Sequence, residues 1–210
     1  MSKVWSDFYN YMLPDLPGAE TSLVDFALRQ AAIAFCEKTM AWRYDHPNVT
    51  ITSGTAFYSF TAPTDATIHA VTYAKFGDTE IDCKSGESIL AAKISDWRDA
   101  TGTPQFILGG ATSFQLIPEP DVNGTLTLKV ALKPSVTAAT LDTNIFNEYR
   151  EAIVHGALAR LMYSPKKPYT NPALAQYHGQ QFEIIAGQAG MRQDRNYTRS
   201  PLQTSIRRRG

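Results

Sequence analysis

Residues 124–163 read GTLTLKVALKPSVTAATLDTNIFNEYREAIVHGALARLMY. The apolar period changes inside this stretch. Leu126, Leu128, Val130 and Leu132 recur at every second position, which puts them on one face of a strand. Pro134 interrupts the pattern. Asp142 or Thr143 can then cap a helix. Ile145, Tyr149, Ala152, Ile153 and Gly156 return at helical spacing, predicting a helix to about Tyr163. Gly156 costs such a helix about 1 kcal/mol relative to Ala. The run Gly156-Ala157 with Ala159 offsets that loss if another helix packs close.

Upstream, residues 48–134 look like one β-block. Val49 and Ile51 alternate with threonines, Phe57 to Phe60 and Ile68 to Phe76 are rich in β-branched and aromatic residues, and Gly77-Asp78 marks a turn before a return strand, Thr79 to Cys83. Residues 87–98 (ESILAAKISDWR) predict a short helix. Gln105 to Leu108, the Gly109-Gly110 turn, Ser113 to Ile117, and the breaks at Pro118-Glu-Pro120 and Asn123-Gly124 complete the block. Short strands spaced by turns indicate an antiparallel sheet or small sandwich.

Before the block, Met12 to Gly18 predicts a loop, since it holds two prolines and a glycine. Ser22 and Asp25 have capping-box spacing. Val24, Leu28, Ala31, Ala32, Phe35 and Thr39 share a helix face, with Trp42 closing the helix and His46-Pro47 stopping it. After the block, Ser164 to Tyr169 is a proline-broken loop. Asn171-Pro172 starts a last helix with a cap and then proline at the first helical position. His178, Phe182, Ile185 and Ala189 share its face, and Gly190 is expected to end it.

The fold class is therefore α+β. A helical domain of three main helices, residues 1–46 plus 135–190, carries an inserted antiparallel β-domain, residues 47–134. An extended basic C-terminal tail, residues 191–210, follows. There is no internal repeat and no low-complexity tract.

Composition narrows the function. The 210 residues are 43% hydrophobic and 19% charged, an ordinary globular balance. No run of about 18 apolar residues is present for a membrane span. The N-terminus carries Asp7 and lacks an apolar signal-peptide core, so glycosylation at Asn48, Asn123 or Asn196 is not expected. Twenty basic and twenty acidic residues cancel. Residues 192–210 hold six arginines against one acid, Asp194, a net of +5, so the remainder carries −5. A neutral, slightly acidic body with a basic arm does not coat DNA.

Catalytic signatures are lacking: no HExxH, GxSxG, Walker loop or GxGxxG occurs. His46, His69, His155 and His178 are scattered, and the two on predicted helices read as packing residues. Asp78, Glu80 and Asp82 alternate and fit a solvated strand edge better than a cation site. Cys36 sits among apolar helix residues, and Cys83 has only Lys84 nearby to activate it. No enzyme activity, metal or cofactor is expected.

Two segments point to partners. Trp5, Phe8, Tyr9 and Tyr11 precede the first helix in a piece too short to bury them alone. They are either a lid on the chain's own helices or anchors in a subunit interface. The tail has no apolar period and contains Pro201. It is a disordered end, a nucleic-acid-binding arm, or a strap that orders on a protein partner through Arg192, Arg195, Arg199, Arg207, Arg208 and Arg209, with Tyr197, Leu202 and Ile206 as apolar pegs.

Several strings occur in a telling order: Leu13-Pro-Asp-Leu-Pro-Gly18, the run Leu23 to Cys36, Trp42-Arg43, Trp97-Arg98, Gly102-Thr-Pro104, Leu116-Ile-Pro-Glu-Pro-Asp121, Gly124-Thr-Leu126 and Lys133-Pro134. Over nearly the whole chain this order resembles the head-to-tail adaptor (connector) proteins of tailed bacteriophages, including the tail tubular protein A group. The resemblance implies a structural virion protein of the neck, assembled in the host cytoplasm. It implies a ring of twelve copies between the portal protein and the tail or nozzle, a lumen that phage DNA crosses without sequence-specific binding, and a C-terminal extension docked on the portal. No membrane is involved. A reading from another class is a DNA-binding or packaging accessory that uses the arginine tail.

The domain division has a direct check. Limited proteolysis should cut near residues 46–48, 133–141 or 191–210, and a stable fragment ending within 105–130 would rule the division out.

Overall fold

The computed structural model describes residues 2–83, 96–195 and 198. The chain divides into two compact units, Met1–Trp5 with Trp42–Phe146, and Ser6–Ala41 with Asn147–Gly210. The described residues are mixed α and β, with antiparallel pairing dominant.

The first unit is mostly β. Its strands are β1 (Ser2–Val4), β2 (Arg43–Ile51), β3 (Phe57–Ser59), β4 (Ala66–Phe76), β5 (Thr79–Ile81), β6 (Thr101–Gly102), β7 (Phe106–Gly109), β8 (Ser113–Ile117), β9 (Glu119–Pro120), β10 (Gly124–Pro134) and β11 (Thr140–Asp142). One sheet has the order β2-β10-β4-β5 and another β3-β8-β7. Their inner faces share one core, including Ile51, Phe76, Leu126 and Leu128 from the first sheet and Phe114 and Leu116 from the second. The predicted row Leu126, Leu128, Val130 and Leu132 on β10 is wholly buried. Gly124 opens β10 because a Cβ there would lie 2.5 Å from the Phe76 ring. A smaller cluster joins Trp97, Phe106 and Ile117.

Two short pairs flank these sheets. β6 and β9 run parallel, an exception to the expected antiparallel block. β1 pairs antiparallel with β11, Lys3 opposite Leu141. Three-residue strands are too short to carry a readable period, so neither β1 nor β11 was expected from the sequence. The helix expected at residues 87–98 lies outside the described residues up to 95, and residues 96–99 form a turn.

The first helix ends earlier than the sequence suggests. α1 spans Thr21–Thr39. Met40 adopts a left-handed conformation and its N–H donates to the Cys36 carbonyl at 2.9 Å, closing the last turn. The Thr39 hydroxyl donates to the Phe35 carbonyl and accepts the Ala41 N–H. Residues 43–46 are therefore strand, and His46-Pro47 lies inside β2 rather than stopping a helix. Proline is tolerated there for two reasons. Among the described residues β2 is an edge strand paired only with β10, and the register skips between Val49 and His46, a bulge that spares the missing N–H. The N-terminus of α1 also differs. Glu20 is the cap residue and makes no side-chain cap, and Asp25 instead accepts the Tyr9 hydroxyl at 2.8 Å. The predicted loop at residues 12–18 contains a 3-10 turn, Leu13–Asp15, with its proline in the first turn.

The second unit holds α1, most of α2 (Thr143–Met162) and α3 (Pro172–Asp194). Asp142 caps α2, its carboxylate accepting the Asn144 and Ile145 N–H groups at 2.8 and 3.3 Å. Asn171 caps α3, accepting the Leu174 N–H at 3.1 Å, with Pro172 beginning the helix. α3 runs through Gly190 to Asp194, so Gly190 is not its end. A helix glycine stops a helix only where the next residues lose their packing, and Gln193 beyond it is buried.

Gly156 is where the three helices meet. A Cβ there would lie 2.8 Å from Cδ2 of Phe182 on α3 and 3.0 Å from Cβ of Ala31 on α1. Phe35 packs with Tyr149 and Phe182, ring centroids 4.9 and 6.5 Å apart. Gly156→Val should therefore lower unfolding stability by roughly 1–3 kcal/mol from overpacking. Gly156→Ala should lose much less, because about 1 kcal/mol of helix propensity offsets the clash. Denaturant melts of both variants test this, and a Val variant as stable as wild type would refute the contact's importance.

Candidate functional site

The N-terminal aromatics divide by environment. Trp5 is buried in the first unit, and its indole N–H donates to the Ala138 carbonyl at 2.8 Å. Phe8 is fully buried in the second unit. Their own chain already covers both, so neither offers a surface anchor. Tyr9 is half-buried, and burial and the bond to Asp25 push its hydroxyl pKa up. Tyr11 is exposed, with the Arg150 guanidinium 5.2 Å above its ring. Of the four interface candidates, Tyr11 alone keeps a broad accessible face.

The basic arm begins later than the sequence suggests. Arg192 lies within α3 and pairs with Glu148 of α2 at 3.2 Å. A surface ion pair of this kind is worth ~0–1 kcal/mol. Arg195 is the exposed residue closing the helix, and the Thr198 hydroxyl turns back to donate to its carbonyl at 2.7 Å. Gln188, Met191, Arg192, Arg195 and Thr198 line a shallow depression at this end. Tyr197, Arg199, Leu202, Ile206, Arg207, Arg208 and Arg209 lie outside the described residues.

The other polar candidates are engaged locally. Asp78 pairs with Lys75 at 3.1 Å on the β4–β5 turn. The Asp82 backbone bridges to the neighbouring strand, its N–H donating to the Gln105 carbonyl and its carbonyl accepting from Ile107. Among the described residues no group of three or more His, Cys, Asp or Glu side chains is arranged to hold a metal. Cys36 is buried and Cys83 half-buried, and neither forms a disulfide. Buried His46 accepts the Thr61 N–H at Nε2, 2.8 Å away, which leaves Nδ1 to donate to the Pro47 carbonyl at 2.6 Å.

One pairing escaped the sequence. His155 of α2 and His178 of α3 face each other with Nδ1 atoms 2.7 Å apart and ring centroids 5.0 Å apart. They are 23 residues apart in sequence, and only the α2–α3 packing brings them together. One ring nitrogen must donate and the other accept, so the bond needs one unprotonated Nδ1. Tyr177 meets the His155 ring edge-on, and Glu151 lies 3.9 Å from His155 Nε2. Burial pushes both histidine pKa values down. The charge of His155 lowers that of His178 further, while Glu151 and Asp15 pull the other way.

A lowered folded-state pKa means that the unfolded chain binds more protons in the window just below the ordinary histidine value of about 6.5. The pair's contribution is thus complete above about pH 6.5 and is lost as pH falls toward the lowered values. Thermal melts from pH 7.5 to 5.5 should show a steeper fall for wild type than for a His155→Gln/His178→Gln double variant. Equal slopes would contradict this assignment.

Comparison with known proteins accords with the sequence resemblance. A protein-family model described as SU10 adaptor protein matches residues 6–208. No curated protein matches. The match spans both units and the basic arm. Among the described residues, no helix is long and apolar enough to cross a membrane.

Proposed function

The chain belongs to the SU10 adaptor protein family, and from that premise we propose how it acts as a structural phage adaptor of the virion neck. Copies of the chain form a ring, twelve in number, between the portal protein and the tail or nozzle. Phage DNA crosses the lumen on ejection without sequence-specific binding.

The family match over nearly the whole chain carries this reading. Charge supports it. Each basic contact to phosphate strengthens and slows DNA, so a lumen wall with little positive charge lets it slide. The body outside residues 192–210 has a net charge of −5. The basic residues concentrate in the arm, which we assign to the portal. Arg195, Arg199, Arg207, Arg208 and Arg209 pair with its acids, and Tyr197, Leu202 and Ile206 seat in its pockets. About fifteen residues at ~3.3 Å each reach ~50 Å, enough to run along a neighbouring protein. Arg192 serves at the root of the arm, where it is held by Glu148. Tyr11 adds to the subunit contact.

Truncation after Arg195 tests the assignment. The melting temperature of the truncated chain should stay within about 2 °C of wild type, because the removed sequence has no apolar period with which to build a core. In negative-stain images with purified portal, wild type should form a ring on the portal and the truncated chain should not. Truncated protein that still attaches with wild-type affinity would refute the strap. A salt-sensitive DNA shift by the free chain, lost on truncation, would favour the DNA-binding accessory instead.

A further inference from the structure

His155 and His178 present their Nδ1 atoms to each other almost end to end. The nitrogens are 2.7 Å apart and the ring centroids 5.0 Å. The difference is about one ring diameter, so both nitrogens lie close to the line joining the centroids and their lone-pair axes converge. Small residues set the spacing of the two helices here. Gly156, next to His155, admits the Phe182 ring of α3, and Gly179, next to His178, faces Ala159 of α2, where a Cβ would lie 3.9 Å from the alanine methyl. Both imidazoles are half-buried, so solvent still reaches them. The Tyr177 ring stands edge-on to both, with centroids 6.3 Å from His155 and 5.3 Å from His178. Two carboxylates stand by. Glu151 lies 3.9 Å from His155 Nε2, and Asp15 is close enough to His178 for its charge to act on that ring.

We propose that this pair is a binding site for a divalent first-row transition ion, such as zinc, held by Nδ1 of His155 and Nδ1 of His178. Imidazole nitrogen suits zinc, copper and nickel, whereas calcium and magnesium take oxygen ligands. Two zinc–nitrogen bonds of about 2.0–2.1 Å at a tetrahedral angle put the nitrogens ~3.3 Å apart. From 2.7 Å the rings must part by about 0.6 Å, which a small turn of the side chains supplies without moving a helix.

The protons balance. In the hydrogen bond one Nδ1 carries the shared proton and the other is bare. The ion needs both bare, so the donor ring shifts its proton to Nε2 and neither ring changes charge. For His155 that Nε2 faces Glu151, a carboxylate able to fix the tautomer as carboxylates do behind metal-bound histidines. Glu151 and Asp15 together offset the two charges of the ion. Among the described residues no group of three or more His, Cys, Asp or Glu side chains forms a cage. Water therefore fills the remaining positions, and the ion exchanges with solvent, unlike one in a closed four-ligand structural site. While bound, it replaces one shared proton with two metal–nitrogen bonds and ties α2 to α3.

Zinc titration of the full chain tests the site, in a Cys83→Ser background so that the half-buried thiol does not compete. Isothermal titration calorimetry near neutral pH should show one zinc ion per chain. His155→Gln and His178→Gln should each weaken binding by at least about tenfold, and Glu151→Gln by less, since it acts only through His155. In a proton–nitrogen correlation spectrum of the same chain, zinc should move the Nδ1 signals of His155 and His178 and leave those of His46 and His69 in place. That spectrum needs no change at either histidine, so it decides the matter even where a Gln variant fails to fold. Zinc that binds the Gln variants as tightly as their parent, or that leaves both Nδ1 signals unmoved up to millimolar concentration, would overturn the proposal. The pair would then hold only its shared proton.

Discussion

A missing side chain organises the helical unit. Gly156 leaves room for the Phe182 ring and Ala31 at distances where any Cβ would force a neighbour to shift. That approach draws α1, α2 and α3 together and buries Phe35, Ala152 and Ile153 completely. The arrangement of the neighbouring groups follows. His155 precedes Gly156 on α2, and His178 lies one turn before Phe182 on α3, so closing the glycine contact also sets the two imidazoles face to face. The faces of α1 and α3 consumed in this contact determine which faces remain outside.

The β unit rests on a different constraint, the central position of β10. It pairs with β2 on one side and β4 on the other, and its apolar row fills the space between the two sheets. A central strand must satisfy its backbone groups on both edges, and β10 does so with register shifts against each neighbour. The edge strand β2 accommodates Pro47 because one of its sides has no ladder to lose. Together these account for a nine-residue strand where a proline suggests a boundary.

In this chain of a phage adaptor family, the described residues hold no cluster of three or more His, Cys, Asp or Glu side chains arranged for a metal. The polar side chains that attract attention in the sequence are used locally, in caps, turns and strand bridges.

Much of the architecture was legible because it is local. The alternation along β10, the buried face of α1, the cap at Asp142 and the Asn171-Pro172 start each depend on residues within a turn or a strand of one another. The family resemblance was legible too, through turn residues in a fixed order. Tertiary packing decided the rest. α1 stops at Thr39 because Met40 can take a left-handed conformation, and the next residues gain a ladder with β10 that no local pattern announces. Trp5 finds a carbonyl 133 residues away, which turned a candidate interface residue into core. The His155–His178 pair and the Gly156 contact join separate helices, where periodicity carries no information about which residue faces which. Periodicity tells which side of an element seeks cover, and only the packed chain decides what provides it and which sides are left bare.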